Sequence, residues 1–171
     1  MAFAAVACGG STTTPNDVAP DPITATALDG RFEVRFTVDR TALKTADNIE
    51  GTAELWLKAG GSGAMSGSSD LFGFEFVEVG GQQRAVTPVT SSDCSPHQLG
   101  SDNPLTSPIL KSGGVQEGNA NADFVKQFLD GAEIHLPAGQ WDVTAIAGFI
   151  EGRGCAGPGH VIRATVRVTV T

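Results

Sequence analysis

GAEIHLPAGQWDVTAIAGFIEGRGCAGPGHVIRATVRVTVT, residues 131–171, is the stretch whose reading decides the fold. From Trp141, apolar and polar residues alternate: Trp141, Val143, Ala145, Ala147 and Phe149 share one side. After a Gly-rich loop holding Cys155 the alternation resumes, with Ile162, Ala164, Val166, Val168 and Val170 opposite Arg163, Thr165, Arg167 and Thr169. Period two with one apolar side describes a half-buried strand, because successive side chains leave a pleated backbone on opposite faces. Ile134 and Leu136, opposite Glu133 and His135, read as a short preceding strand, and Leu136-Pro137-Ala138-Gly139 suits a turn with proline at its second position. Val, Ile and Thr dominate both long strands, as they do on half-buried sheet surfaces.

Working outward, the same rhythm recurs. Ile23–Leu28 reads as an edge strand closed by Asp29-Gly30. Phe32, Val34, Phe36 and Val38 alternate with Glu33, Arg35 and Thr37, and Ala53, Leu55 and Leu57 alternate with Thr52, Glu54 and Trp56. Phe72, Phe74 and Phe76 mark another buried face before the Gly80-Gly81 turn, and Arg84–Thr90 reads as an edge strand carrying Pro88. Between these lie a polar connection, Asp39–Asn48, with one helical turn expected near Thr41–Lys44, and two expected loops, the Gly/Ser-rich 58–70 and the long polar 91–118. Asn121 to Gly131 reads as a short helix with Asn121 as N-cap, Phe124 and Phe128 on its buried side and Gly131 just past its end.

Composition narrows the function classes. The 171 residues suit one domain with a tail, and 40% hydrophobic residues suffice for one core. A formal net charge of −8 excludes the basic face that nucleic acid or an anionic lipid surface needs. His97, His135 and His160 lie in no H-E-x-x-H pattern, no G-x-S-x-G elbow is present, and the acidic residues are scattered, so no catalytic residue, cofactor or enzyme activity is assigned. Asp102 and Asn103, or Asn119, Asn121 and Asp123, lack EF-hand spacing and read as turn and cap residues.

Residues 1–22 read as separate from the domain at 23–171. Met1–Ala7 is small and apolar and runs into Cys8; Ser11–Pro22 is rich in Ser, Thr, Pro and Asp, with little to bury, as a mobile tether would be. Ala5-Val6-Ala7-Cys8 resembles the bacterial lipobox, which implies acylation of Cys8 and an exported protein on the cell or outer membrane, facing periplasm or exterior. With Cys8 so used, Cys94 and Cys155 remain, and an even remainder in an exported domain implies one disulfide. The rival reading is a zinc site from Cys94-x-x-His97 and Cys155-x4-His160.

The closing L-P-A-G-Q-W-D-V-T-A-I-A-G-F, a Cys-bearing loop and V-R-V-T-V also resemble the last strands of Ig-like β-sandwiches in secreted bacterial proteins, with F-E-V-R-F-T-V placed like an early core strand. The resemblance implies an all-β, Ig-like antiparallel sandwich of about seven to nine strands with one short helix. It implies a fold and leaves function to the surface. The expected role is a monomeric, non-enzymatic binding or structural module for an unknown protein or glycan, with membrane contact only through the lipid. Two alternatives are a carbohydrate- or peptide-binding domain using Trp56 and the long loops, and a protease inhibitor presenting 58–70 or 91–118. Trp56, on the polar side of its strand, is either such a ligand contact or a ring covered by a neighbouring loop.

Overall fold

The structure is a computed structural model that describes residues 21–58, 60–91, 93–115 and 120–171. Two sheets pack face to face. The first holds β1 (Ile23–Asp29), β2 (Phe32–Val38), β4 (Gly51–Leu57) and β8 (Leu105–Pro108), in the order β1-β2-β4-β8. The second holds β3 (Ala42–Leu43), β10 (Gly159–Val170), β9 (Gly139–Glu151), β5 (Ser62–Glu78) and β6 (Ala85–Val86), in the order β3-β10-β9-β5-β6, with β7 (Ser95–Gly100) paired to β5. One helix, α1 (Ala122–Leu129), lies between β8 and β9. The placing of β2, β4 and β8 in one sheet and of β5, β9 and β10 in the other is that of strands A-B-E and C-F-G in an Ig sandwich. β1 is added outside β2.

The alternating patterns do the packing they imply. Phe32, Val34, Phe36 and Val38 from β2 and Ala53, Leu55 and Leu57 from β4 face Phe72, Phe74 and Phe76 from β5. The inner faces of β9 and β10 complete this single buried core. Rings meet across the layers: Phe36 lies 6.0 Å from Phe74 and Phe32 lies 4.8 Å from Phe149. Trp141 is fully buried, and its indole N–H donates to the Pro137 carbonyl at 2.9 Å, so this buried donor is satisfied. Helix α1 closes one end by burying Val125 and Phe128; Phe128 packs 4.9 Å from Phe76. Gly131 follows the helix at φ +73°, a left-handed conformation that glycine adopts without strain. Asn121 is the N-cap residue, as expected, and its carbonyl accepts from Val125 N–H at 2.9 Å, but its side chain makes no capping hydrogen bond.

Five expectations are corrected. Residues 62–70 are the first half of β5 rather than a loop: Ser62–Gly67 pairs with β7, and Met65–Gly67 also pairs with β9. Pairing on both sides holds a Gly/Ser-rich segment extended although its composition favours a loop. Opposite Gly148 the register jumps between Gly67 and Phe72, so Ser68–Leu71 bulges out of the ladder. The 91–118 stretch likewise contains β7 and β8. The helical turn near Thr41–Lys44 is instead β3, parallel to the end of β10, with Thr169 N–H donating to the Thr41 carbonyl at 2.7 Å. Glu133–Leu136 is outside both sheets: Ile134 and Leu136 are buried, but Ile134 N–H donates to the Asn48 side chain at 2.8 Å rather than to a strand. The strand total is ten among the described residues, above the seven to nine expected, because β3 and β6 are two-residue pieces.

Candidate functional site

The two cysteines in the described residues meet at one end of the sandwich. Cys94 precedes β7 and Cys155 lies in the β9–β10 loop; they form a disulfide with Cα atoms 6.0 Å apart between residues 61 positions apart in sequence. Neighbouring groups brace both loops. Ser66 Oγ donates to the Gly152 carbonyl and accepts from Gly154 N–H, each within 3.1 Å. On the other side, Asp93 accepts from Ser69 N–H at 3.0 Å and from the hydroxyls of Ser91 and Ser95; the Ser95 bond first, then that of Ser69, hold its carboxyl below the ordinary aspartate range.

The rival metal set does not assemble. Both sulfurs are taken up by the disulfide, His97 Nε2 sits 2.9 Å from the Ser68 carbonyl, and His160 Nδ1 sits 2.7 Å from Asp29 Oδ2. Among the described residues no three His, Cys, Asp or Glu side chains are grouped to hold a metal ion. His160 instead ties the sheets together. Its ring is flanked by Phe32 at 4.9 Å and Phe149 at 5.0 Å, and it bonds to β1 through Asp29, while Glu151 pairs with Arg31 beside it. An imidazole held this way is a structural strut between the first and last strands.

Trp56 belongs to a charged patch on the outer face of the four-stranded sheet. The antiparallel register sets Trp56 opposite Glu33 and Glu54 opposite Arg35. The Arg35 guanidinium lies 4.6 Å above the indole ring, and the indole N–H donates to Glu54 at 3.0 Å. Trp56 is therefore covered by a cation from the next strand, and no loop is needed to shield it. Glu33 is buried at the centre of the patch, and its carboxylate accepts from Lys58 at 2.7 Å and from Arg35. Those bonds, Lys58 first, outweigh burial and keep the Glu33 carboxyl below the ordinary glutamate range. Period two put Glu33 on the polar side, as found. That it would be buried there depends on the reach of Lys58 and Arg35, which alternation does not encode.

An open cleft of about 370 Å³ lies beside α1, within the size range of small-molecule sites. Phe124, Phe128, Leu136 and Pro137 line it, with Lys111, Asp130, Glu133 and His135 around them. Lys111 is already engaged, donating to the Asp130 carbonyl at 2.9 Å across the helix end, and His135 Nε2 bonds Glu133 at 3.0 Å. The polar rim is thus mostly self-paired. Cys8 lies outside the described residues. Of the loops expected to present an inhibitory surface, 58–70 is mostly the first half of β5, and 91–118 contains the paired strands β7 and β8.

Comparison with known protein families, curated proteins and solved structures finds no match. No helix among the described residues is long and apolar enough to cross a membrane.

Proposed function

We propose that the chain is an exported Ig-like module of the bacterial cell envelope, tethered by lipid on Cys8 and acting through binding or spacing rather than through a reaction. The Cys94–Cys155 disulfide carries this reading, since disulfides persist in oxidising compartments and are reduced in the cytosol. The bond uses two of the three cysteines in the chain and leaves Cys8, behind Ala5-Val6-Ala7, as the acyl acceptor. Ser11–Pro22 then spaces the sandwich from the membrane, its composition too polar to collapse onto the core. The Trp56 patch, His160 and the polar rim of the cleft beside α1 are engaged within the fold, which suits a surface that contacts a partner without transforming it.

The test is expression of the full-length gene, with its own upstream sequence, in cells fed a labelled fatty acid. Label in the membrane fraction, lost in Cys8→Ser, is the expected result. Unlabelled protein found wholly in the soluble fraction contradicts the tether.

A further inference from the structure

A strand at the rim of a sheet offers unpaired N–H and C=O groups to any other strand, and folded proteins blunt such rims with short strands, proline or charge. Here the rims are blunted with one exception. β3 and β6 have two residues each, β8 has four and ends in Pro108, and β7 carries Pro96. The part of β10 beyond its pairing with β3 carries Arg163 and Arg167. β1 has none of these protections. It runs seven residues in unbroken register with β2, has no proline, and has no charged side chain from Ile23 to Leu28. Its backbone pairs only with β2 among the described residues. Ala25 and Ala27 pack on the core, while Ile23 and Leu28 are left 47% and 65% exposed.

We propose that β1 is a self-association edge, at which two copies of the chain pair antiparallel along Ile23–Asp29 about a two-fold axis through Thr26. The sequence of β1 is compatible with itself in that register. Ala25 faces the second copy's Ala27, Thr24 faces its Leu28, Thr26 faces its own equivalent, and the one charged residue, Asp29, faces Ile23. No like charges oppose each other along the strand, and the exposed Ile23 and Leu28 each gain a neighbour across the junction. The interface is isologous and closes after two copies, so it yields a dimer and not a fibre. A monomer is the expectation stated with the Ig-like resemblance, and the edge is what departs from it. The net charge of −8 on each copy opposes approach, so association strengthens as salt screens that repulsion.

The experiment is analytical ultracentrifugation of the full-length chain carrying Cys8→Ser, which removes thiol-linked dimers. It is run over a concentration series at about 0.15 and about 1 M salt, where the screening length falls from about 8 to about 3 Å. The expected result is a mass that doubles with concentration, more readily at high salt. Thr26 points out from the sheet, so Thr26→Lys and Thr26→Glu leave β1 folded but set like charges on the axis. Each variant alone stays a monomer with an unchanged circular dichroism spectrum, and an equimolar mixture of the two regains the dimer mass. A wild-type mass that never rises above one chain overturns the proposal. So does a dimer that both variants form as readily as wild type, which would place the contact elsewhere, and so does a mixture of folded variants that stays monomeric.

Discussion

Glu78 is the residue on which most local hydrogen bonds converge. Its carboxylate, buried at the end of β5, accepts from the backbone N–H groups of Gln82 and Arg84 and from the Arg84 guanidinium at 2.7 and 3.0 Å. Arg84 in turn lies 5.3 Å over Trp141 and 5.6 Å over Phe124, so one carboxylate orders a turn and the cation that covers two rings. These bonds, the Arg84 side chain first, hold the Glu78 carboxyl below the ordinary glutamate range, as Lys58 and Arg35 do for Glu33. A depressed native value contributes stability that is present above the unfolded glutamate range, near about 4.3. That contribution is lost as pH falls through the native values. Glu78→Gln is therefore expected to cost about 2 kcal/mol at neutral pH, read by urea denaturation, and to flatten the acid limb of stability against pH. An acid limb as steep as in wild type contradicts the role. For Trp56, whose ring carries Arg35 and whose N–H is given to Glu54, substitution by Ala is expected to cost about 1–2 kcal/mol. Because a sugar would need the face that Arg35 occupies, any glycan-array signal is expected to survive that substitution.

Among the elements, those with clean alternation were readable in advance: β2, β4, the second half of β5, β9 and β10 place the apolar residues inward as the period implies. The helix was readable too, from Phe124, Phe128 and the glycine after it. The elements that were not readable owe their form to partners distant in sequence. Ser62–Gly67 is extended because β7 pairs along its length and β9 joins at Met65–Gly67, and Ala42–Leu43 because it meets the end of β10 about 127 residues later. At Gly51 the constraint is steric: a Cβ there would collide with the Thr37 carbonyl and come within 2.9 Å of Ile109 Cδ1, so β2 and β4 approach closely only with glycine. The disulfide belongs to this scale as well, since it joins the connection before β7 to the β9–β10 loop. Replacing both cysteines, Cys94→Ser with Cys155→Ser, frees a loop of 61 residues and is expected to cost about 4 kcal/mol on the chain-entropy model. Denaturation curves of the oxidised wild type and the double variant check this; coincident curves would mean that the bond adds nothing to folding.

For the whole molecule, the two sheets share one buried core, α1 closes one end of it, and the disulfide ties the connection before β7 to the β9–β10 loop. The Ig-like sandwich was legible from strand rhythm, and β1 was legible as an edge strand, but its place outside β2 emerges only from the sheet order. The cross-link was legible from cysteine number; the struts around it, Ser66 to the β9–β10 loop and His160 to Asp29, were not, because they join residues 86 and 131 positions apart. The disulfide takes up two of the three cysteines, and the proposed lipid tether would use the third. The most direct test is a peptide map, without reductant, of the protein isolated from its own cells. Tryptic cleavage after Arg84, Lys111, Arg153 and Arg163 releases one peptide with Cys94 and one with Cys155. Recovery of Ala85–Lys111 joined to Gly154–Arg163, with a lipid mass on Cys8, is the predicted result. Free, alkylatable thiols at both Cys94 and Cys155 would contradict it.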